Sequence, residues 1–213
     1  MAGKASMTEA LVIGGGPAGL MAAEALAGAG RRVLLAEAKP SLARKLLMAG
    51  KSGLNLTKED PDFLAAYGAA ADWLAPILAA FGPAEVRAWA EGLGQPLFTG
   101  STGRVFPEAM KASPLLRAWL RRLEGIETRT RWRWQGWDCE AALFDTPEGP
   151  QHVTTEVTVL ALGGASWARL GSDGAWAPIL AAEGVPLSPF RPANVGLSVD
   201  WSAHMTPHFG TPV

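Results

Sequence analysis

Two periods of apolar and polar positions run along this 213-residue chain, and the switches between them outline an alternation of strands and helices. The run EALVI, Glu9 to Ile13, is short and apolar, as a buried parallel strand requires, and PAGLMAAEALAGAG continues it as a helix of good helix formers. RRVLLAE then reads as a second strand ending at Glu37. From Pro61 to Gly94 the spacing is helical. In its last part Pro83 fits a first helical position, Val86, Trp89, Ala90 and Leu93 line one face, and Gly94 closes the end. ASPLLRAWLRRLEG repeats the pattern, with Ser113 as cap, Pro114 as start, Leu116, Trp119, Leu120 and Leu123 as stripe, and Arg117, Arg121 and Arg122 on a solvated face.

Further along, Thr128, Thr130, Trp132 and Trp134 alternate with Arg129, Arg131, Arg133 and Gln135, which predicts one two-faced strand. EAALFD and HVTTEV, joined by TPEGPQ, add strands of a small antiparallel meander. VTVLALGG, Val157 to Gly164, is continuous enough for a strand buried on both faces. After it, Asp173 can cap a short helix that stops at Gly184 and Pro186. The pattern predicts an α/β, Rossmann-like domain over residues 1–190, a parallel sheet with flanking helices and a small meander, and the start of a second domain over 191–213.

Composition narrows the chemistry. With 48% apolar residues the chain can supply an ordinary soluble core, and a formal charge of -1 gives no general attraction to nucleic acid, despite the arginines interleaved with tryptophans near residue 132. Glu24 and Pro17 make the opening apolar stretch a poor membrane or export segment, so cytoplasmic residence without a membrane partner is expected. The single cysteine, Cys139, excludes an internal disulfide and dithiol exchange, so redox chemistry here calls for a bound cofactor. His204 and His208 are four apart, but Pro207 opposes the helix that would align them on a metal, and no metal site is expected.

The candidate chemistry lies at the turns. Gly14, Gly16 and Gly19 fit G-x-G-x-x-G between the first strand and helix: a tight turn, an approach to pyrophosphate, and close helix packing. Pro17 and Ala18 open a helix whose free N–H groups and dipole face the phosphates. Glu37, 18 residues beyond Gly19, is placed to accept hydrogen bonds from an adenosine ribose and to repel a 2′-phosphate. This unit does not separate NAD from FAD. SLARKLLMAGKSGLNLT lacks an amphipathic period and reads as a cofactor-facing loop, with Arg44 and Lys45 for phosphate, Gly50 and Gly53 for close approach, and Ser52, Asn55 and Thr57 for a polar ring edge. Gly163 and Gly164 let a strand end pass a ligand. Arg104, in STGRVFP, is a secondary candidate for orienting a substrate.

The series VIGGGPAGLMAAE, Glu37, RKLLMAGKSGLNLT, STGRVFP, LALGGASWARLGSDG and RPANVGLSV resembles the BaiN-like, or YhiN-like, NAD(P)/FAD-dependent oxidoreductases, a branch of the glutathione-reductase-like flavoproteins. The resemblance implies FAD as cofactor, its ADP half on the Gly14, Gly16, Gly19 turn and Glu37, its ring near the Lys45–Thr57 loop, and Ala161 to Gly164 passing the cofactor. It also implies hydride transfer through the flavin, with NAD(P)H as reductant and a small molecule bearing an activated carbon–carbon double bond as acceptor. Ala43 and Leu54 depart from the family pattern. Relatives are about twice as long and return a late strand to the flavin side chain, a motif this sequence lacks. Loss of about three hydrogen bonds at about 1 to 1.5 kcal/mol each would weaken FAD binding about a hundred- to a thousandfold. A non-catalytic nucleotide-binding or interaction fragment and an NAD-dependent dehydrogenase are the rival expectations. Substrate and oligomeric state are not legible, and no catalytic acid or base is assigned.

Overall fold

The structure, a computed structural model, describes residues 8–51, 53–192 and 199–209. The opening apolar run forms β1 (Ala10–Ile13), which turns at Gly14 into α1 (Pro17–Gly28) and returns as β2 (Val33–Glu37). The chain continues through α2 (Arg44–Ala49), β3 (Thr57–Lys58), a 3-10 segment (Phe63–Ala70), α3 (Ala71–Ala80), α4 (Pro83–Gly92), β4 (Leu97–Thr99), β5 (Arg104–Pro107) and α5 (Ala112–Arg122). It ends with β6 (Glu127–Thr130), β7 (Arg133–Asp138), β8 (Ala141–Asp145), β9 (Gln151–Val153), β10 (Val157–Leu160) and α6 (Ala177–Ala182), with short 3-10 turns at Ala168–Leu170 and Ala203–His208.

The expected α/β architecture is present. Four parallel strands lie in the order β10-β1-β2-β6, and β3-β5-β4 and β7-β8-β9 form two small antiparallel sheets, the second being the expected meander. Alternation along β1 and β2 sends Val12 and Leu35 to one face, against Leu20 and Ala23 of α1 and Leu115, Leu116 and Trp119 of α5. Leu11, Ile13, Leu34 and Ala36 point to the other face, against Trp134, Ala142 and Phe144 of the meander. Because both faces are covered, β1 is buried at every residue, which is why its sequence shows no polar alternation.

Several local expectations are corrected. The Thr128 to Gln135 alternation is not one strand: it breaks at Arg131, whose φ is +62°, into β6 of the parallel sheet and β7 of the meander. The bend is tied to the end of β2, since Arg131 N–H donates to the Lys39 carbonyl (3.1 Å) and Trp132 N–H to that of Glu37 (2.9 Å). β10 is an edge strand rather than one buried on both faces, and Val157 and Leu160 are exposed. α5 begins at Ala112, with extended Lys111 before it and no side-chain cap, so Ser113 does not cap. Pro114 is tolerated because the first turn needs no N–H donor. Arg122 is not merely solvated. It pairs with Glu24 (2.9 Å) and donates to the Gly92 carbonyl (2.6 Å).

Phe63–Gly92 is long and apolar enough by length and composition alone to cross a membrane. It folds instead as separate pieces, broken by non-helical Gly68 and by Phe81 and Gly82, with Asp72 and Glu85 inside it. Such breaks leave backbone groups that lipid cannot satisfy. The arm carries exposed Trp73 and Ile77.

Candidate cofactor cleft

A cleft of about 270 Å³ opens at the carboxyl ends of β1, β2 and β10, beneath the start of α1 and against β7. Its floor is laced by backbone bonds: Gly14 N–H donates to the Ala36 carbonyl (2.8 Å), and Ala161 N–H to that of Ile13 (2.8 Å). Gly14 has φ +112°, and a Cβ there would lie 2.2 Å from the Ala161 carbonyl oxygen. A Cβ on Gly19 would lie 1.7 Å from the Gly14 carbonyl oxygen, so helix and turn touch through backbone alone. Gly16 differs: a Cβ there would meet nothing within 4 Å. The three glycines are thus required for a bend, for an open approach and for close packing, each at the place its position in the motif implies. No side chain caps α1, which begins with Pro17. Its first N–H groups face the cleft that Gly16, Pro17 and Ala18 line.

Glu37 stands beside the bend. Its Oε2 accepts from Gly15 N–H and its Oε1 from Lys39 N–H, both at 2.7 Å, which aims the carboxylate while leaving further lone pairs toward the cleft. Arg44 and Lys45 come from α2, so the expected loop is partly helical, as its run of good helix formers allows. Ala43 precedes them in a left-handed conformation, φ +53°, and its N–H donates to the Gly15 carbonyl (2.8 Å).

The later part of that segment does not reach the cleft. Gly50 packs on α5, where a Cβ would lie 2.6 Å from that of Ala112, and Gly53 (φ +139°) lies beside Met110. Asn55 is exposed, and Thr57 pairs with Val105 in the small β3-β5-β4 sheet. Ser52 lies outside the described residues, as does part of the expected second domain. Leu54 is a core residue, which explains its apolar character. Arg104 is on β5, bonded to Thr102 and away from the cleft.

On the opposite wall, Ala161, Gly163 and Gly164 line the cleft as expected. The Gly163 carbonyl accepts from Trp176 Nε1 (3.0 Å) and the Gly164 carbonyl from Ser172 Oγ (3.1 Å). The residues that sequence reasoning missed are Ser172, Arg133, Trp134 and Trp176, brought in by β7 and by the chain after β10. Asp173, expected only as a cap, accepts from Ala175 N–H (3.1 Å) and pairs with Arg133 (3.2 Å). Partial burial pushes its carboxyl up, but the Ala175 N–H and the Arg133 guanidinium outweigh this and hold it below the ordinary carboxylate range.

Among the described residues, two buried side-chain donors lack an acceptor, Arg44 Nε and Trp134 Nε1, and both belong to residues lining this cleft. Each such donor costs about 1 to 3 kcal/mol. A group rich in acceptor oxygens and ring nitrogens fits their chemistry, and the uncapped helix end and open Gly16 fit a phosphate.

Residues 8–200 match the HI0933-like protein Rossmann domain family. The chain belongs to that family. Members of this HI0933-like family are FAD-dependent oxidoreductases, and the fold seen here is a Rossmann-like FAD-binding fold. The chain is 32% identical, over 194 residues, to the 3-dehydro-bile acid delta(4,6)-reductase of Clostridium scindens. That alignment covers 88% of this chain and 47% of the reductase, so the chain spans about half the length of that curated relative. In fold it is similar to the open conformation of a flavocytochrome c3 fumarate reductase, with a TM-score of 0.51 and 21% identity over 76% of this chain and 35% of the other. It also resembles a 3-ketosteroid-delta4-(5alpha)-dehydrogenase from Rhodococcus jostii RHA1, with a TM-score of 0.49 and 17% identity over 77% and 47% of the two chains.

Proposed function

We propose that this chain forms the ADP-binding part of an FAD-dependent oxidoreductase that passes hydride from NAD(P)H to a small molecule with an activated carbon–carbon double bond. The observation that carries the cofactor reading is the convergence on one cleft of an uncapped helix end, an open Gly16 and the two orphaned donors. The similarity to a bile acid reductase supports the acceptor class.

In this reading the α1 amides bind the diphosphate, with Gly16 giving access and Pro17 and Ala18 forming the first turn. Glu37 accepts from the ribose hydroxyls, and its charge opposes a ribose 2′-phosphate. Arg44 and Lys45 balance the phosphate charge. Ala161, Gly163 and Gly164 carry the backbone past the cofactor. Bound FAD supplies the hydride chemistry, and the protein supplies binding and orientation.

The test is an absorption and fluorescence titration of the purified chain with FAD, with NADH in a parallel series. Saturable FAD binding with a shifted flavin spectrum supports the reading. Saturable NADH binding without any for FAD would replace it with a nicotinamide dehydrogenase.

A further inference from the structure

A second hollow lies on the helical face of the parallel sheet, under the last turn of α5, and shares no lining residue with the cofactor cleft. It originates in one short side chain. Thr128 of β6 lies directly opposite Leu35 of β2, so both point to the helical face, but Thr128 is the smaller and its hydroxyl donates back to the Ile126 carbonyl at 3.4 Å. α5 ends at Arg122, and the space between helix end and strand stays unfilled, with a volume of about 300 Å³. Its floor belongs to the core: Leu20 of α1 is 0% exposed and Leu35 is 1%. Leu42, Leu120 and Leu123 add walls without a polar side-chain atom. The polar side chains are the exposed Glu124 and Thr128, at the mouth.

Close-packed interiors leave few voids larger than a water molecule, so an aliphatic hollow of this size is a place for a ligand. An apolar cavity of about 150 Å³ stays dry and takes benzene, and about twice that volume admits two fused rings. A helix about 10 Å across does not fit such a space, which makes the occupant a small molecule and not another chain. Among the described residues Glu124 takes part in no salt bridge, whereas its neighbours Arg122 and Arg129 are held by Glu24 and Glu127. Its negative charge repels an anion and accepts from an N–H or O–H donor. We propose that the hollow beneath α5 binds an uncharged aromatic molecule of two fused rings bearing a hydrogen-bond donor, with the rings among Leu20, Leu35 and Leu123 and the donor on Glu124. The site stands apart from the cofactor reading, since its lining offers a phosphate neither a cation nor a glycine turn.

Titration of the whole 213-residue chain with indole, followed by NMR of labelled leucine methyl groups, tests this. The expected result is saturable binding with a Kd of about 1 mM or tighter, and shifts largest at Leu20, Leu35, Leu42, Leu120 and Leu123. Indole-3-acetate carries the same rings with an anion attached and is expected to bind at least about tenfold more weakly. Thr128→Leu fills the space; it should weaken indole at least about tenfold while raising the urea midpoint. Glu124→Met removes the acceptor and the charge, and should bring the two ligands within about threefold of each other. In the unaltered protein, no saturation by about 10 mM indole, or shifts centred away from these leucines, overturns the site whatever the variants do. A folded Thr128→Leu chain that binds indole as the parent does overturns it as well. Equal affinity of the parent for indole and indole-3-acetate overturns the chemistry assigned to the occupant.

Discussion

Gly16 and Gly19 share a motif but do different jobs, and substitution separates them. Gly19→Ala drives a Cβ into the Gly14 carbonyl and is expected to cost about 3 kcal/mol of stability, read as a lowered urea midpoint. Gly16→Ala meets no protein atom and is expected to change stability by less than about 1 kcal/mol. It narrows the approach to the helix end, and ADP affinity should fall about tenfold. A Gly16→Ala chain that binds ADP as tightly as the parent would remove the phosphate from this turn. Ala43 is a residue-scale anomaly of the opposite kind. Its left-handed conformation costs about 1 to 2 kcal/mol for an L side chain, while glycine loses about 0.4 to 1 kcal/mol more entropy on folding, so Ala43→Gly is expected to stabilise by about 0.5 kcal/mol in thermal melts. The left-handed backbone at Ala43 leaves no mark in the local sequence.

At the scale of elements, the helical face over the sheet is joined by one carboxylate. Glu24 of α1 accepts from Trp119 Nε1 of α5 (2.6 Å), Trp89 Nε1 of α4 (3.4 Å) and Arg122 (2.9 Å), and the two indoles meet edge to face with centroids 4.7 Å apart. Glu24→Ala would leave the almost fully buried Trp119 donor without an acceptor, and a loss of about 2 to 3 kcal/mol is expected in urea unfolding. Glu24→Gln, which keeps an acceptor oxygen, should lose markedly less. The stripes of α4 and α5 were legible because each helix buries one face and periodicity records that. The Glu24 contacts were not, since 95 residues separate Glu24 from Trp119 and no local pattern encodes the pairing. The break at Arg131 escaped for a related reason: alternation persists through the bend, while the change of sheet is imposed by the end of β2.

Across the whole molecule, the cleft joins segments from the amino-terminal turn, α2, β7 and the chain after β10, and the Asp173 to Arg133 pair closes that circuit. Because the folded carboxyl of Asp173 titrates below its unfolded value near 3.9, the pair's contribution is present above that pH and is lost as pH falls through the lower folded value. Asp173→Asn is therefore expected to lower stability at pH 7 and to flatten the loss of stability below about pH 4, as followed by urea midpoints across pH. An unchanged acid limb would show that the pair is too solvated to matter.

The sequence by itself determined the glycine turn between the first strand and helix, the acid at the end of the second strand and the parallel α/β class, because a tight glycine bend, a short buried strand and an amphipathic helix each leave a local signature. The tertiary structure alone decided that Gly50, Gly53, Asn55 and Thr57 lie outside the cleft, and that Lys45 meets Ser166 and Ser172. Those placements depend on which distant segments the sheet order brings together, and residues 121 and 127 positions apart carry no mark of one another until the chain has folded.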